Sequence, residues 1–202
     1  DSIAECENAC ATSDAYKLKP LVLDLKKDFD PSLHMRVINT GTIGKFVDRW
    51  GMSKMTYLGD KYLRPVVMKK DFLSEFPNSY SKKAVLPKII IKGLNLLDGC
   101  LDVDGQVVPG KTTLIVTCKN PDDLLFVSAI LNSNFAFFYL KERYPAASYN
   151  QGTSFTREMI NSLPIPRHLS LDQKQGLTEI AGKIVQLVKK DPELDTAELL
   201  GS

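Results

Sequence analysis

Residues 84–118 read AVLPKIIIKGLNLLDGCLDVDGQVVPGKTTLIVTC and carry the strongest strand signals in this chain of 202 residues. The run 84–91 is rich in β-branched residues. Pro87 indicates that a strand starts there or lies at a sheet edge, because proline cannot donate to a hydrogen-bond ladder. Residues 112–118, TTLIVTC, combine threonines with larger apolar side chains and are mostly β-branched, which also predicts a strand. Between these runs, Asp104-Gly105 predicts a tight hairpin turn, since both residue types tolerate positive φ values.

A helix start follows the strand region at Asn120. The Asn120 side chain can cap the helix, Pro121 presets the φ angle of the first turn, and two carboxylates then face the positive end of the helix dipole. We predict a helix over 121–132, with an aromatic continuation toward Arg143.

Two further helices are predicted nearer the C-terminal end. Thr156 can cap a short helix over 157–163, which the following prolines end. Ser170 and Gln173 form a capping-box pattern, which predicts the start of a last helix. The apolar stripe expected on that helix consists of Leu177, Ile180, Ile184 and Leu187 or Val188.

Together these signals predict an α/β (α+β) fold, in which helices pack on a mixed, twisted β-sheet and a C-terminal helical segment closes the structure. The strands of the sheet are expected near residue 36, at 85–92, at 100–108 and at 112–118. We expect one domain, with 1–32 as its N-terminal entry segment and 33–167 as its core. Residues 168–202 are expected to form a C-terminal helix and a frayed acidic tail.

Composition argues against several classes of protein. The chain is 44% hydrophobic and 25% charged, which is typical of globular proteins. No apolar run approaches the roughly 20 residues that a membrane-spanning helix needs, so we expect no membrane partner. The four cysteines form no CxxC pair and only two histidines are present, so we expect neither a zinc site nor a disulfide. The sequence as given begins at Asp1 without an initiator Met and shows no secretory signal, which is compatible with a fragment excised from a longer chain.

Positive charge is concentrated in one part of the sequence. Residues 36–92 contain twelve basic and four acidic side chains, a net charge of +8, whereas the rest of the chain carries −6. Such a block favours a face that binds a polyanion, because each neutralised phosphate releases counterions from a nucleic acid. Lysines on an ordinary solvated surface give a similar count.

Catalytic motifs give little support for an enzyme. No GxGxxG pattern and no Pro-Pro dipeptide occur in the chain, and residues 41–44 lack the strand-glycine-helix context of a nucleotide-binding turn. Asp102 and Asp104 could contribute to a metal-dependent nuclease site, but turn propensity accounts for both. We therefore expect this chain alone to catalyse nothing.

Two longer stretches resemble one family. Residues 129–166 read AILNSNFAFFYLKERYPAASYNQGTSFTREMINSLPIP, an aromatic helix followed by a polar loop and an NSLPIP segment. Residues 37–51 read VINTGTIGKFVDRWG, and YLGDKYLRPVV follows at 57–67. Both stretches resemble the C-terminal specificity domain of TaqI-like adenine-specific DNA methyltransferases and of type IIG enzymes, which fuse nuclease, methyltransferase and reader in one chain.

This resemblance implies a bacterial or archaeal, cytoplasmic target-recognition domain that reads double-stranded DNA for a restriction-modification enzyme. It implies that an N-terminal methyltransferase domain of the same polypeptide binds S-adenosylmethionine. In fused enzymes a nuclease domain would bind Mg²⁺. A similar domain occurs in the specificity subunits of multi-subunit restriction systems. By this reading the chain itself holds no cofactor and no metal.

Candidate DNA contacts follow from residue types that match base edges: Arg or Lys for guanine, Asn or Gln for adenine, Ser or Thr for either. The base-reading candidates in the polar loop are Ser148, Asn150, Gln151, Thr153 and Arg157, and those in the earlier segment are Asn39, Thr40 and Thr42. The phosphate candidates are Lys45, Arg49, Lys69, Lys70, Lys82, Lys83 and Lys88. Trp50 is expected in the core or as a packing platform for Arg64. The alternative for both reading segments is a polar surface loop or a capped turn.

Two other functions stay open at this stage. A protein-interaction or assembly module could use the basic face to bind an acidic partner, and such a module would show no salt-dependent affinity for random duplex DNA. A stand-alone nuclease would cleave DNA with a divalent metal.

Overall fold

The computed structural model describes residues 2–145, 154–166, 169–194 and 196. The strands, in chain order, are β1 (Ala4–Asn8), β2 (Leu23–Asp24), β3 (His34–Ile38), β4 (Met55–Tyr57), β5 (Asp60–Tyr62), β6 (Pro65–Met68), β7 (Lys88–Lys92), β8 (Gly99–Asp102), β9 (Val107–Pro109) and β10 (Thr113–Cys118). The helices are α1 (Thr12–Leu18), α2 (Lys69–Glu75), α3 (Ser79–Ala84), α4 (Leu124–Leu131), α5 (Asn134–Arg143), α6 (Arg157–Asn161) and α7 (Leu171–Lys190). Short 3₁₀ turns lie at Lys19–Leu21, Thr40–Thr42 and Pro121–Asp123.

The predicted mixed α/β class is confirmed, but the strands form two four-stranded sheets and a ribbon instead of one sheet. The first sheet has the order β1-β10-β7-β8 and is antiparallel throughout. The second has the order β2-β6-β3-β9, in which β3 and β9 are parallel. Strands β4 and β5 pair only with each other. Strand β1 shows that the N-terminal segment contributes a strand to the first sheet.

The hairpin predicted at Asp104-Gly105 is wrong. Strand β8 before this turn pairs with β7, whereas strand β9 after it pairs with β3 in the other sheet. The turn therefore carries the chain from one sheet to the other. Gly105 has a φ of 62°, and a Cβ there would lie 2.1 Å from the carbonyl oxygen of Val85, so only glycine fits.

A buried ion pair holds this crossing. The Lys88 ammonium contacts the Asp102 carboxylate and donates to the Ala84 carbonyl at 2.6 Å. Asp102 also accepts hydrogen bonds from the backbone N–H groups of Gln106 and Val107, both at 3.0 Å. Burial lowers the pKa of Lys88, although the nearby Asp102 charge opposes this shift. The prediction that Lys88 contacts phosphate is wrong, because its side chain is completely buried.

Strand β7 begins at Lys88, directly after Pro87, as the position of the proline predicts. It lies between β10 and β8, so it is an interior strand and not an edge strand. Ile89 and Ile91 pack with α4, α5 and α6 in the largest core cluster, whereas Ile90 packs toward the second sheet.

The predicted helix starts are confirmed. The side chains of Asn120, Thr156 and Ser170 each accept a backbone N–H in the turn they cap, and Gln173 completes the capping box of α7. The helical region from 121 to 143 is bent by 67° between α4 and α5. No single helix among the described residues has the length and apolar composition of a membrane span. The two segments of this bent pair reach that length and composition only when they are taken together.

The apolar stripe of α7 differs from the prediction. Ala181, Ile184 and Val188 are buried against Phe46 and the α4 residues Leu125 and Ala129. The remaining predicted members, Leu177, Ile180 and Leu187, are 37%, 53% and 42% exposed. The helix turns its 181-184-188 face to the body, because α4 and Phe46 offer the apolar surface there.

Candidate nucleic-acid interface

The segment 39–42 leaves strand β3 and forms a tight 3₁₀ turn. The Thr42 hydroxyl donates to the Asn39 carbonyl at 3.0 Å and accepts from the Asn39 N–H at 3.2 Å. Since Thr42 is also buried, its side chain shapes the turn and does not reach the surface as a base-reading group. Asn39 and Thr40 are partly exposed.

Thr112, just before β10, connects to this turn through its side chain and its backbone. The Thr40 hydroxyl donates to the Thr112 carbonyl at 2.9 Å and lies 2.6 Å from the Thr112 hydroxyl. The Thr112 hydroxyl donates to Oδ1 of Asn39 at 2.7 Å. A Cβ at Gly110 would lie 2.8 Å from the same Oδ1, so glycine permits this close approach.

The same threonine leads to the end of the predicted reading loop. The Thr112 carbonyl accepts the N–H of Gly93 at 3.1 Å, and the Gly93 carbonyl accepts the N–H of Phe155 at 2.9 Å. Leu94 and Ser154 form an isolated antiparallel bridge beside this contact. The 39–42 turn and the described end of the polar loop, Ser154 and Phe155, therefore lie at one place, with Thr112 and Gly93 between them.

We call this place the Thr112 edge, defined by Asn39, Thr40, Gly93, Lys111, Thr112 and Ser154. A surface depression of about 220 Å³ lies beside its Gly93, Lys111, Thr112 and Ser154. The loop candidates Ser148, Asn150, Gln151 and Thr153 lie outside the described residues.

Two cations lie at or next to the Thr112 edge, and neither is a predicted phosphate contact. Lys111 is exposed, and its ammonium lies 5.7 Å from the centre of the exposed Tyr16 ring. Lys61 is exposed on β5 opposite Thr56, whose carbonyl accepts a hydrogen bond from the Asn39 amide at 3.4 Å. Lys111 lies outside the basic block of the sequence, so charge counting could not single it out.

Arg157 is the first residue of α6, shortly after Ser154. Its Nε donates to Oε1 of Glu158 at 2.6 Å, and both side chains are exposed. This hydrogen bond is the main reason why the pKa of Glu158 is lowered. The ion pair holds one edge of the guanidinium in place on the exposed surface.

The predicted phosphate contacts are dispersed over the molecule. Lys45 donates to Asn134 on α5 at 3.3 Å, Arg49 lies 3.7 Å from Glu193 beyond α7, and Lys83 pairs with Glu7 on β1 at 2.7 Å. Lys69 and Lys70 begin α2, and the exposed Lys82 lies on α3. The basic residues of the +8 block therefore do not all lie on one face of the molecule.

Residues 105–112, GQVVPGKT, match the spacing of a phosphate-binding P-loop, G-x₄-G-K-T. The structure argues against that function. A P-loop connects a strand to a helix, whereas here Lys111 and Thr112 lead directly into strand β10. The Gly110 N–H is bonded to the Ile38 carbonyl at 2.8 Å and cannot cradle a phosphate. The pattern nevertheless draws attention to Lys111 and Thr112 as candidate site residues, which the charge distribution of the sequence does not.

Trp50 serves as the predicted platform for Arg64. The guanidinium carbon lies 5.2 Å from the centre of the indole ring, and the indole N–H donates to the Pro65 carbonyl at 2.7 Å. Phe29 packs edge-on against the same ring at 5.6 Å. This cluster fastens the loop after β3 to strand β6.

Within the part of the chain that the structure describes, no group of three or more His, Cys, Asp or Glu side chains could hold a metal ion. No protein-family model and no curated protein sequence matches this chain.

Proposed function

We propose that this chain reads double-stranded DNA in a sequence-specific way, as the target-recognition domain of a restriction-modification adenine-specific DNA methyltransferase. An N-terminal methyltransferase domain of the same polypeptide would perform the chemistry. S-adenosylmethionine, and the Mg²⁺ of a fused nuclease, would bind those other domains and not the Thr112 edge.

One observation carries the proposal: the contacts that run from Asn39 and Thr40 through Thr112 and Gly93 to Phe155. The turn that carries Asn39 and Thr40 and the end of the polar loop, at Ser154 and Phe155, are far apart in the sequence and lie side by side here. Packing alone does not require polar side chains of this kind at a shared exposed edge.

The edge offers two kinds of DNA contact. The Asn39 amide and the Thr40 hydroxyl are of the types that discriminate bases in the major groove. Lys111 and Lys61 supply positive charge beside them and suit the phosphate backbone, which positions the duplex without reading sequence. Arg157 adds a planar donor group that can match guanine O6 and N7.

The test is a DNA-binding titration at several salt concentrations, using the purified chain and a fluorescent duplex of random sequence. Affinity should fall steeply with salt, with a slope of about 0.9 per phosphate contact in log–log form. Lys111→Ala should flatten the slope by about one unit, and Lys190→Ala on α7 should leave it unchanged. A slope that is indifferent to Lys111, or no binding at low salt, contradicts the proposal.

A second candidate function, a protein-interaction module, is supported by the surface of α7. Leu177, Ile180 and Leu187 leave an apolar strip on its exposed side, and Lys183 and Lys190 flank that strip. An acidic amphipathic partner would match this surface. Binding of an acidic amphipathic helical peptide to the wild type and to Ile180→Glu, measured beside the DNA titration, separates the two functions, because DNA reading through the Thr112 edge does not involve Ile180.

A further inference from the structure

The side-chain amide of Asn39 has its oxygen and its nitrogen in different situations. Oδ1 accepts the Thr112 hydroxyl at 2.7 Å and lies against Gly110. Among the described residues, Nδ2 has one long contact, 3.4 Å to the carbonyl of Thr56. A carbonyl can only accept, so the amide group that faces Thr56 is the NH₂ group, and the oxygen faces Thr112. The hydrogen-bond network thus decides the orientation of the amide.

This orientation limits what Asn39 can offer to a ligand. Its oxygen can accept two hydrogen bonds, and it takes them from the Thr112 hydroxyl and, in the capping box of the turn, from the backbone N–H of Thr42. Among the described residues its N–H groups remain available at the exposed edge. An asparagine that recognises adenine uses both atoms, because it donates to N7 and accepts from the N6 amino group. With both acceptor positions of its oxygen used, by Thr112 and by Thr42, Asn39 cannot make that pair of contacts.

Guanine and thymine carry a keto oxygen at the position in the major groove where adenine and cytosine carry an amino group. The Asn39 NH₂ group can donate to a keto oxygen. Facing an amino group, it would set donor against donor and leave both groups without a partner, which costs free energy in a dehydrated interface.

We infer that Asn39 selects a keto base, guanine or thymine, at one position of the DNA site, and that Thr112 is the positioning residue that sets this choice. The inference rests on the proposed DNA-reading function. It assigns to Asn39 a preference opposite to the adenine contact that asparagine usually makes.

The experiment is selection from a randomised duplex library by the purified chain, followed by sequencing of the bound DNA. Asn39→Ala identifies the position that depends on Asn39, since preference there should be lost. At that position the wild type should favour guanine or thymine over adenine and cytosine by roughly tenfold. Thr112→Val should reduce this ratio toward one, because the released amide can rotate and present its oxygen.

Thr112→Ser keeps the hydroxyl and should keep the preference, which a general structural role of the threonine would not explain. Thr117→Val, on the strand β10 that follows Thr112 and outside the Thr112 edge, is the matched control and should select the same sequences as the wild type. If Thr112→Val does not fold, the wild type, Thr112→Ser and Asn39→Ala still decide the base class.

Two failures are distinguishable. Enrichment of adenine or cytosine at the Asn39-dependent position, or unchanged selection by Asn39→Ala, overturns the inference and leaves the DNA-reading function standing. Absence of any enriched sequence in the wild type overturns the DNA-reading function and the inference with it.

Discussion

The Lys88 ammonium and the Asp102 carboxylate form an ion pair in the interior, where their side chains are 0% and 3% exposed. Lys88 belongs to strand β7 of the first sheet. Asp102 ends strand β8 and also binds the two N–H groups that lead into β9 of the second sheet. The pair thus stabilises the point at which the chain passes between the sheets.

Replacing one partner of this pair should be costly. Lys88→Met keeps most of the side-chain volume but leaves the Asp102 charge buried without its counter-ion. We expect the free energy of unfolding to fall by about 3–5 kcal/mol. Urea denaturation measures this loss. Lys82→Met, at an exposed position of α3, should change stability by no more than about 0.5 kcal/mol. A similar small change for Lys88→Met would mean that the pair contributes little.

Gly105→Ala should also destabilise the protein. Its φ of 62° and the 2.1 Å approach to the Val85 carbonyl leave no room for a Cβ, so a loss of more than about 1 kcal/mol is expected. Gly176→Ala provides the contrast, because a Cβ at this position in α7 meets nothing within 4 Å. That substitution should stabilise the helix by about 0.5–1 kcal/mol. Thermal or urea unfolding of both variants should shift in opposite directions.

Buried thiols predict a loss of stability at alkaline pH. Burial raises the pKa of Cys6 to about 12 and the pKa values of Cys10 and Cys118 to about 11, from an ordinary value of 9.0. Because the folded-state pKa values are raised, the unfolded chain releases protons first, and stability falls as pH rises above about 9. The contribution is fully present below pH 9. Each thiol can contribute a slope of up to about 1.4 kcal/mol per pH unit.

Unfolding free energies measured from pH 8 to pH 11 test this prediction. Cys6→Ala removes the thiol with the largest shift of the three, so its stability should fall less steeply with pH than that of the wild type. Equal slopes for the two proteins would show that Cys6 ionises as easily when folded as when unfolded.

The guanidinium of Arg157 and the ammonium of Lys82 should differ in their effects on DNA recognition. If Arg157 reads a base, Arg157→Ala should relax the choice at one position of the selected site by roughly tenfold and weaken binding to other sequences little. Lys82→Ala, if Lys82 meets a phosphate, should weaken binding to all sequences alike and flatten the salt dependence. Library selection and salt titrations on both variants distinguish the two roles. Unaltered selection by Arg157→Ala would exclude it as a base-reading residue.

Local sequence signals predicted the element starts well, because capping and proline constraints act over three or four residues. Asn120, Thr156 and Ser170 cap helices as expected, and β7 starts directly after Pro87. The β-branched run at 112–118 likewise identified β10, since such side chains favour extended backbone.

Strand partners and side-chain burial were decided by the tertiary structure. Asp104-Gly105 has the local chemistry of a hairpin, yet pairing of β8 with β7 and of β9 with β3 separates its two flanks. The sequence alone predicted Lys88 as a surface cation. In the structure it is buried, because Asp102, fourteen residues further on, provides a buried counter-ion. Long-range pairing energies outweigh a turn preference of a few tenths of a kcal/mol, and a single sequence does not reveal them.

For the candidate site too, the sequence determined some features and the tertiary structure decided others. The residue types at 39–42 and in the loop that ends near Arg157 were visible in the sequence, because base-edge chemistry depends on the side chain alone. The position of the loop's end, Ser154 and Phe155, beside the 39–42 turn was decided by the tertiary structure, through Thr112 and Gly93. The same contacts also remove Thr42 from the surface and occupy the oxygen of Asn39. A residue's type sets what it can bind, but its neighbours determine which of its atoms remain free to do so.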